Sequence, residues 1–535
     1  MAPLPRISAA FITGILLTCL FPEAFCRQYA LLILFALLVL AYVPLPYLSG
    51  KKGTDTKAFG IFTLLFSMFL GVARTGLSHH AMFNPGHSKG KTVTATVAEY
   101  AVEKEESYSA VIDCGENGGR QVVYLWSSSD KPMQLVPGDV IQFYPKHRKS
   151  VVREIEKANQ DKWNKDLHPG YLQHLYYSHI TATQYANRWW KPKDISSRQT
   201  FTWAKLRKHI SSQYATMGLP AEEAAILTAM TVGDRRALRE RGMTISNRYT
   251  KAGVSHVLAL SGFHLTIIYS LLDIFFLTSL VQRRKKWIPH LLTIISLWAF
   301  TLLAGSPPSL VRAAAMCTII SIAQTLYGGK QSRFDALVLS AFIMLLYDPF
   351  YIMNVSFQLS YASMLGITLA SPWLSRLQVG INKSRMPDLA KKTASYFIGI
   401  TLISIIATLS TAGIVAYHFG SISLVGIATN ICISLLASAL MAAAVMWWIF
   451  RITVLTCALQ PTSFVAVTEG GVGKVIHWLL SGMNHTVDFF ASLSHATLHW
   501  NPSLWTSILY YVSLAMIVVV WKKYLYPAIK RIHRK

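Results

Sequence analysis

The chain has 535 residues, 52% of them hydrophobic and only 14% charged, with 51 Lys and Arg against 25 Asp and Glu, a formal net charge of +26. Mean hydropathy of +0.36 excludes an ordinary soluble globular domain and predicts a polytopic α-helical membrane protein. The cationic excess has two ordinary sources, topology signals on cytoplasmic loops and attraction to a polyanion. Six cysteines, Cys19, Cys26, Cys114, Cys317, Cys432 and Cys457, show no C-x-x-C spacing, so neither a zinc site nor a disulfide framework is expected.

In chain order, three apolar segments come first, near Ile7 to Phe21, Tyr29 to Tyr47 and Phe59 to Ala73. A span needs about 20 apolar residues. The first has only Arg6 at its flank and a second apolar run follows, so it reads as a helix and not as a cleaved leader. Lys51, Lys52 and Lys57 place the loop after the second span inside and send the next polar region outside. Residues 1–77 are therefore an N-terminal membrane segment.

From 78 to 208 the pattern changes to period two. "KTVTATVAEY", "YSAVID", "RQVVYLW" and "GDVIQFY" predict short antiparallel strands in a small extracytoplasmic β domain. Between Lys146 and Lys208 stand 14 Lys and Arg against 5 Asp and Glu, interleaved with Trp163, Tyr171, Tyr176, Tyr177, Trp189, Trp190 and Trp203. Cations neutralise phosphates and aromatic planes stack on bases, so Lys146, Arg148, Lys149, Arg153 and Trp163 are candidate contacts to a single-stranded nucleic acid. A belt at the bilayer surface uses the same residue types, and around Trp189 to Lys193 it competes on equal terms.

Residues 209–253 contain "PAEEAAILTAMTVGDRRALRERGM", whose spacing predicts amphipathic helices on the membrane surface. Residues 254–525 form the hydrophobic half, with candidate spans near 254–281, 287–304, 309–327, 334–347, 353–371, 394–416, 424–450 and 505–521. The segment 451–502 is too polar for a plain span and reads as an interfacial helix. Basic loops at 283 and 376–392, and the tail 526–535, are expected to face the cytoplasm.

Inside this half sit groups that hydrocarbon penalises. Insertion scales charge roughly 2.5 to 3.5 kcal/mol for Arg or Asp at a helix centre, so such residues need partners or water. They are His256, Ser261, Gly262 and His264 in "SHVLALSGFHLTII", Arg312 in "SPPSLVRAAAM", Asp348 in "LLYDPF", Gln358 and Ser360 in "NVSFQLSYAS", and Asn430 in "GIATNICI"; Asp234, Arg235 and Arg236 precede them. On one continuous helix Ser261 and His264 share a face, with His256 about 80° from His264. Ordinary interhelical hydrogen bonding accounts for any one of these residues, including an Arg312 to Asp348 pair. Taken together they predict a water-lined polar passage, and the Gly and Pro breaks at Gly253, Gly262, Pro307 and Pro308 predict discontinuous helices along it.

The ordered set "VGDRRAL", "AGVSHVLALSGFHLTII", "SPPSLVRAAAM", "DALVLSAFIMLLYDPF" and "SFQLSYASMLGI" resembles the ComEC competence family. The resemblance implies an OB-like β domain, single-stranded DNA as the transported polymer, and an inner-membrane channel with no cofactor or bound metal. It also implies a DNA receptor and a cytoplasmic ATPase motor or single-strand-binding proteins as partners, besides lipid and a second copy of the chain. No H-x-H-x-D-H cluster and no P-loop occur. The metallo-β-lactamase-like domain of longer members is accordingly expected to be missing, and the driving energy to come from elsewhere. Two other readings stand beside this one: an intramembrane hydrolase with Ser261 as nucleophile and a histidine as base, and a transporter of another polar solute.

Overall fold

The structure is a computed structural model. It describes residues 3–20, 56–83, 92–99, 102–103, 107–115, 119–126, 135, 137–160, 169–186, 188–190, 203–215, 217–240, 243–278, 287–327, 333–382, 387–456, 463–493 and 496–520. The second apolar segment, Trp163, the loop at 283 and the C-terminal tail lie outside these residues. The chain divides into two compact units. The first holds residues 1–214, 234–240 and 272–354; the second holds 215–233, 241–271 and 355–535.

In the first unit, helices α1 (Pro3–Leu20) and α2 (Thr56–Phe83) pair closely. A Cβ on Gly14 would lie 1.9 Å from the Met68 carbonyl oxygen, and one on Gly71 2.3 Å from that of Phe11. Only glycine at both positions lets the backbones come this near, the device that joins helices where no hydrophobic drive separates them from lipid.

The β domain follows, as β1 (Val93–Val97), β2 (Val102–Glu103), β3 (Ser107–Asp113), β4 (Arg120–Trp126), β5 (Val140–Phe143), β6 (Lys146–Ser150), α3 (Val151–Gln160), α4 (Pro169–Tyr177), β7 (Ile180–Ala186) and β8 (Trp189–Trp190). Alternation drives it: Val93, Ala95 and Val97 are buried while the threonines between them are exposed. They meet Ile112, Val123, Leu125, Ile141 and Phe143 in one core. The strand order is β6-β7-β4-β3-β1-β5-β8, with β2 beside β3. Sequence alternation anticipates β1, β3, β4 and β5. The segment after 146, expected as a basic and aromatic surface, also supplies β6, β7 and β8, with β7 parallel to β4.

This order forces curvature. In a flat sheet β5 and β6 would stand five strand spacings apart, about 24 Å. Only Tyr144 and Pro145 join them, a reach of roughly 10 Å. Only two residues likewise separate β7 from β8, which stand second and seventh on the path, and the Tyr144 N–H donates to the Arg188 carbonyl at 3.2 Å. The sheet therefore rolls until its two ends meet at a seam.

Helices α5 (Trp203–Ala215), α6 (Ala221–Val232), α7 (Arg236–Glu240) and α8 (Met243–Lys251) come next. Glu223 and every residue of Ala225 to Val232 are buried. The expectation of an amphipathic surface helix is corrected for α6: it is apolar all round and enclosed, as such a composition requires.

The hydrophobic half contains α9 (Gly262–Thr278), α10 (Trp287–Leu303), α11 (Pro308–Tyr327), α12 (Arg333–Tyr347), α13 (Val355–Asn382), α14 (Asp388–Phe419), β9 (Ser421–Ser423), α15 (Gly426–Thr456), α16 (Ser463–Ala491), β10 (Thr497–His499) and α17 (Leu504–Val520). These helices lie where the spans were expected, except that the first begins at Gly262 and not at 254, and α16 occupies the segment read as an interfacial helix. Among the described residues two helices, Asp388–Phe419 and Gly426–Arg451, are long and apolar enough to cross a membrane, and only 11% and 33% of their most apolar stretches are buried within the chain. A soluble core helix would be covered. Exposed Phe397, Ile403, Leu409, Met446 and Ile449 need an apolar solvent, which a bilayer supplies.

In the first unit the β domain is fastened to α12. Asp348 caps the 3-10 turn Pro349–Met353, accepting from the Phe350 N–H at 3.0 Å. It also accepts from His179 Nε2 at 3.0 Å. The Phe350 ring, 1% exposed, packs against Tyr176, Tyr177 and His179. Arg74 of α2 donates to the Leu346 and Tyr347 carbonyls, placing a cation on the C-terminal end of the α12 dipole.

Candidate polar path and nucleic-acid interface

The second unit brings together residues far apart in sequence. The segment 252–261 is not one helix: a 3-10 turn spans Ser255–Val257 and helix resumes only at Gly262. The expected single-helix relation of His256 to Ser261 and His264 is therefore corrected. Gly253 has φ +77, and a Cβ there would meet the Gly426 Cα at 2.6 Å, so the break packs directly on the start of α15. Ser423 Oγ donates to the Lys251 carbonyl at 3.0 Å. This seating puts His256 in a side-chain hydrogen bond with Asn430. Asn430 Nδ2 in turn donates to Ser404 Oγ of α14 at 2.7 Å.

Ser261 is the residue before α9, and His264 stands three places on. His264 Nδ1 accepts from the Ser261 N–H at 3.3 Å and contacts Ser261 Oγ at 3.1 Å. The contact to the Ser261 N–H is the side-chain half of a capping box, with histidine in the usual glutamate position. With Nδ1 accepting, the ring proton sits on Nε2. His264 is fully buried, and its Nε2 has no partner among the described residues. A buried donor left open this way costs about 1 to 3 kcal/mol unless water or a ligand meets it. For Ser261 as a nucleophile the geometry is poor, because the base nitrogen is already engaged by the backbone and, among the described residues, no carboxylate orients the ring. Farther along, Gln358 Oε1 lies 3.3 Å from His418 Nε2. Ser360 is half-buried one turn from Ser363, whose hydroxyl donates to the Ser360 carbonyl.

In the first unit the acidic path candidates are already engaged. Asp234 is 4% exposed; it accepts from the Arg236 N–H at 3.1 Å, from Arg236 Nη2 at 2.6 Å and from Ser211 Oγ at 3.2 Å. Burial pushes its carboxyl up, but the Arg236 hydrogen bonds and charge, helped by Ser211, outweigh that and hold it below its usual range. Asp348 is the cap that anchors the β domain, and its side-chain partner is His179, not the Arg312 that ordinary interhelical pairing offered. Arg312 is 5% exposed in the second turn of α11, and Arg235 is exposed. Among the described residues no group of three His, Cys, Asp or Glu could hold a metal.

On the β domain, Lys146, Lys149 and Arg153 are exposed and Arg148 half-buried. Sequence reading did not single out Tyr144, Tyr124 or Tyr185, since no local run unites them. Only the rolled sheet does, setting Lys146, Tyr185 and Tyr124 side by side on β6, β7 and β4.

The family model for the competence protein family matches residues 230–524, more than half of the chain. The chain belongs to the competence protein family. The match runs from the end of α6 to α17 and contains every polar residue of the 256–264 break, so the ComEC resemblance seen in the motifs holds. This competence protein is also 25% identical over 437 residues to ComE operon protein 3 of Bacillus subtilis (strain 168), covering 80% of this chain and 49% of the relative. The chain thus spans about half the length of the curated relative it matches. No solved structure matches it.

Proposed function

We infer that this competence protein takes part in DNA uptake, as a polytopic channel of the cell membrane through which single-stranded DNA passes into the cytoplasm. The observation that carries the reading is the interrupted segment between Gly253 and Gly262. It gathers His256, Asn430, Ser404, Ser261 and His264 among apolar helices, with the His264 Nε2 hydrogen unclaimed by the described residues. These groups are neutral hydrogen-bonding partners, suited to a polymer that must slide, because conduction needs contacts weak enough to release. Arg235 and Arg312 supply charge for passing phosphates, while Asp234, Arg236 and Asp348 hold their own turns in shape. Gln358 and Ser360 extend the polar lining along α13.

The β domain is extracytoplasmic and OB-like in this reading: a rolled sheet whose basic and aromatic outside receives the strand. The C-terminus faces the cytoplasm. A DNA receptor delivers the strand, and an ATPase motor or single-strand-binding proteins draw it inward; the channel acts as a monomer or a homo-oligomer in lipid.

The test is DNA uptake in a competent host that depends on this chain, with membrane insertion of each variant confirmed by fractionation. His264→Ala and Asn430→Ala are expected to lower transformation at least about tenfold, the effect of about 1.4 kcal/mol. His264→Gln is expected to keep more, since its amide also donates. Normal transformation in both alanine variants overturns the site. A topology reporter fused near Gly118 that reads cytoplasmic overturns the orientation.

A further inference from the structure

The seam of the β domain carries a second feature. Tyr144, Pro145, Lys146 and Arg188 line an open cleft of about 340 Å³, at the point where the two ends of the sheet meet. Its aromatic member is Tyr144, and the Trp190 ring lies beside it at 5.3 Å. The Trp190 indole N–H donates to Gln142 Oε1 at 3.0 Å, and Gln142 Nε2 donates to Thr94 Oγ1 at 3.1 Å, so the indole plane is fixed from behind across three strands. Tyr144 is 47% exposed, and Pro145 keeps the residue before it extended.

The floor is cationic. Lys146 and Arg188 are exposed, and neither has a carboxylate partner among the described residues. On the far side of Lys146 the aromatic surface resumes: Lys146 is in register with Tyr185, and Tyr185 with Tyr124. Those two tyrosines stack at 5.0 Å with 24° between their planes. The order across the seam is therefore ring pair, cation pair, ring pair. A protein core has no use for such an exposed alternation, whereas an unpaired polynucleotide presents the complementary one, bases and phosphates in turn.

We propose that this seam is a binding subsite for single-stranded DNA, with one base against Tyr144 and Trp190, another against Tyr185 and Tyr124, and the intervening phosphate held by Lys146 and Arg188. The proposal rests on the uptake reading and assigns it an entry point. Duplex DNA is excluded because its bases are stacked on each other and offer no free face. Arg148, Lys149 and Arg153 continue the charge beyond the cleft.

The experiment uses the full chain in nanodiscs and a fluorescein-labelled oligothymidylate of about 12 nucleotides, read by anisotropy, with an abasic oligomer of equal length as comparison. Tyr144→Ala and Tyr185→Ser are each expected to weaken oligothymidylate binding about tenfold and to leave abasic binding unchanged. Lys146→Gln and Arg188→Gln weaken both oligomers and lower the salt slope by about 0.7 each. Trp190→Phe, which keeps a ring and the fold, binds close to the parent. Aromatic variants that bind as the parent does, or that lose affinity equally for the abasic oligomer, overturn the subsite. So does a parent chain that binds no oligothymidylate. Both readouts are independent of the uptake assay: loss of the subsite with uptake still sensitive to His264 leaves the channel standing, and an intact subsite with uptake insensitive to His264 removes the channel alone.

Discussion

Asp234 offers a sharp test of how this fold is held, because its carboxylate is buried and satisfied by one turn of its own chain plus Ser211. Replacement by alanine removes the acceptor of the Arg236 N–H, the 2.6 Å contact to its guanidinium and the 3.2 Å contact to Ser211. Breaking a buried pair from one side costs about 3 to 5 kcal/mol. The Arg236 side chain keeps 24% exposure, so solvent screens the cation left behind and the lower end, about 3 kcal/mol, applies. For a unit of this size that corresponds to a fall in melting temperature of about 5 °C, read by intrinsic fluorescence in detergent. Asp234→Asn keeps an oxygen for the turn and is expected to lose about half as much. Adding Arg236→Leu to Asp234→Ala should recover part of the loss, since no unpaired charge remains. The pH dependence has a fixed sign. A carboxyl held below its unfolded value, about 3.8, contributes its full stability above that pH and loses it as pH falls through the lower folded value. The parent and Asp234→Ala should therefore converge only in strong acid. An alanine variant melting within about 1 °C of the parent, or a double variant no more stable than the single, refutes the reasoning.

Three further outcomes follow from the packing. Phe350→Ala empties the site between Tyr176, Tyr177 and His179 and is expected to cost about 3 to 5 kcal/mol; limited proteolysis should then cut faster between α4 and β7, and an unchanged cleavage rate contradicts the anchor. Gly253→Ala is expected to abolish accumulation of folded protein, because its φ of +77 and the Gly426 Cα at 2.6 Å leave no place for a methyl group; a normal yield in membranes counts against the described break. Burial pushes the Cys114 thiol up to about 11, with Arg148 opposing and Asp113 adding to the effect. In a chain whose other cysteines are serine, alkylation at pH 8 should be roughly a hundredfold slower than after denaturation, and equal rates would show the thiol to be open.

Sequence by itself determined the class of this protein and most of its elements. Apolar runs of helical length and period-two stretches fix local structure through backbone sterics and burial, so α9 to α15, α17 and strands β1, β3, β4 and β5 were legible without a fold. The family was legible too, because its motifs keep polar residues in order along the chain. Strand order was beyond it: "ITATQYA" carries nothing that says it inserts parallel to β4, and only closure of the sheet brings Tyr144, Lys146, Tyr185 and Trp190 to one seam. Nor could spacing tell that Asp348 would meet His179, that Asp234 would be spent on its own turn, or that His256 would leave the helix of His264 to reach Asn430. Helix and strand periodicities describe neighbours within one element; which polar group meets which is decided by long-range packing, where one backbone contact such as Gly253 against Gly426 sets the partners of every side chain around it.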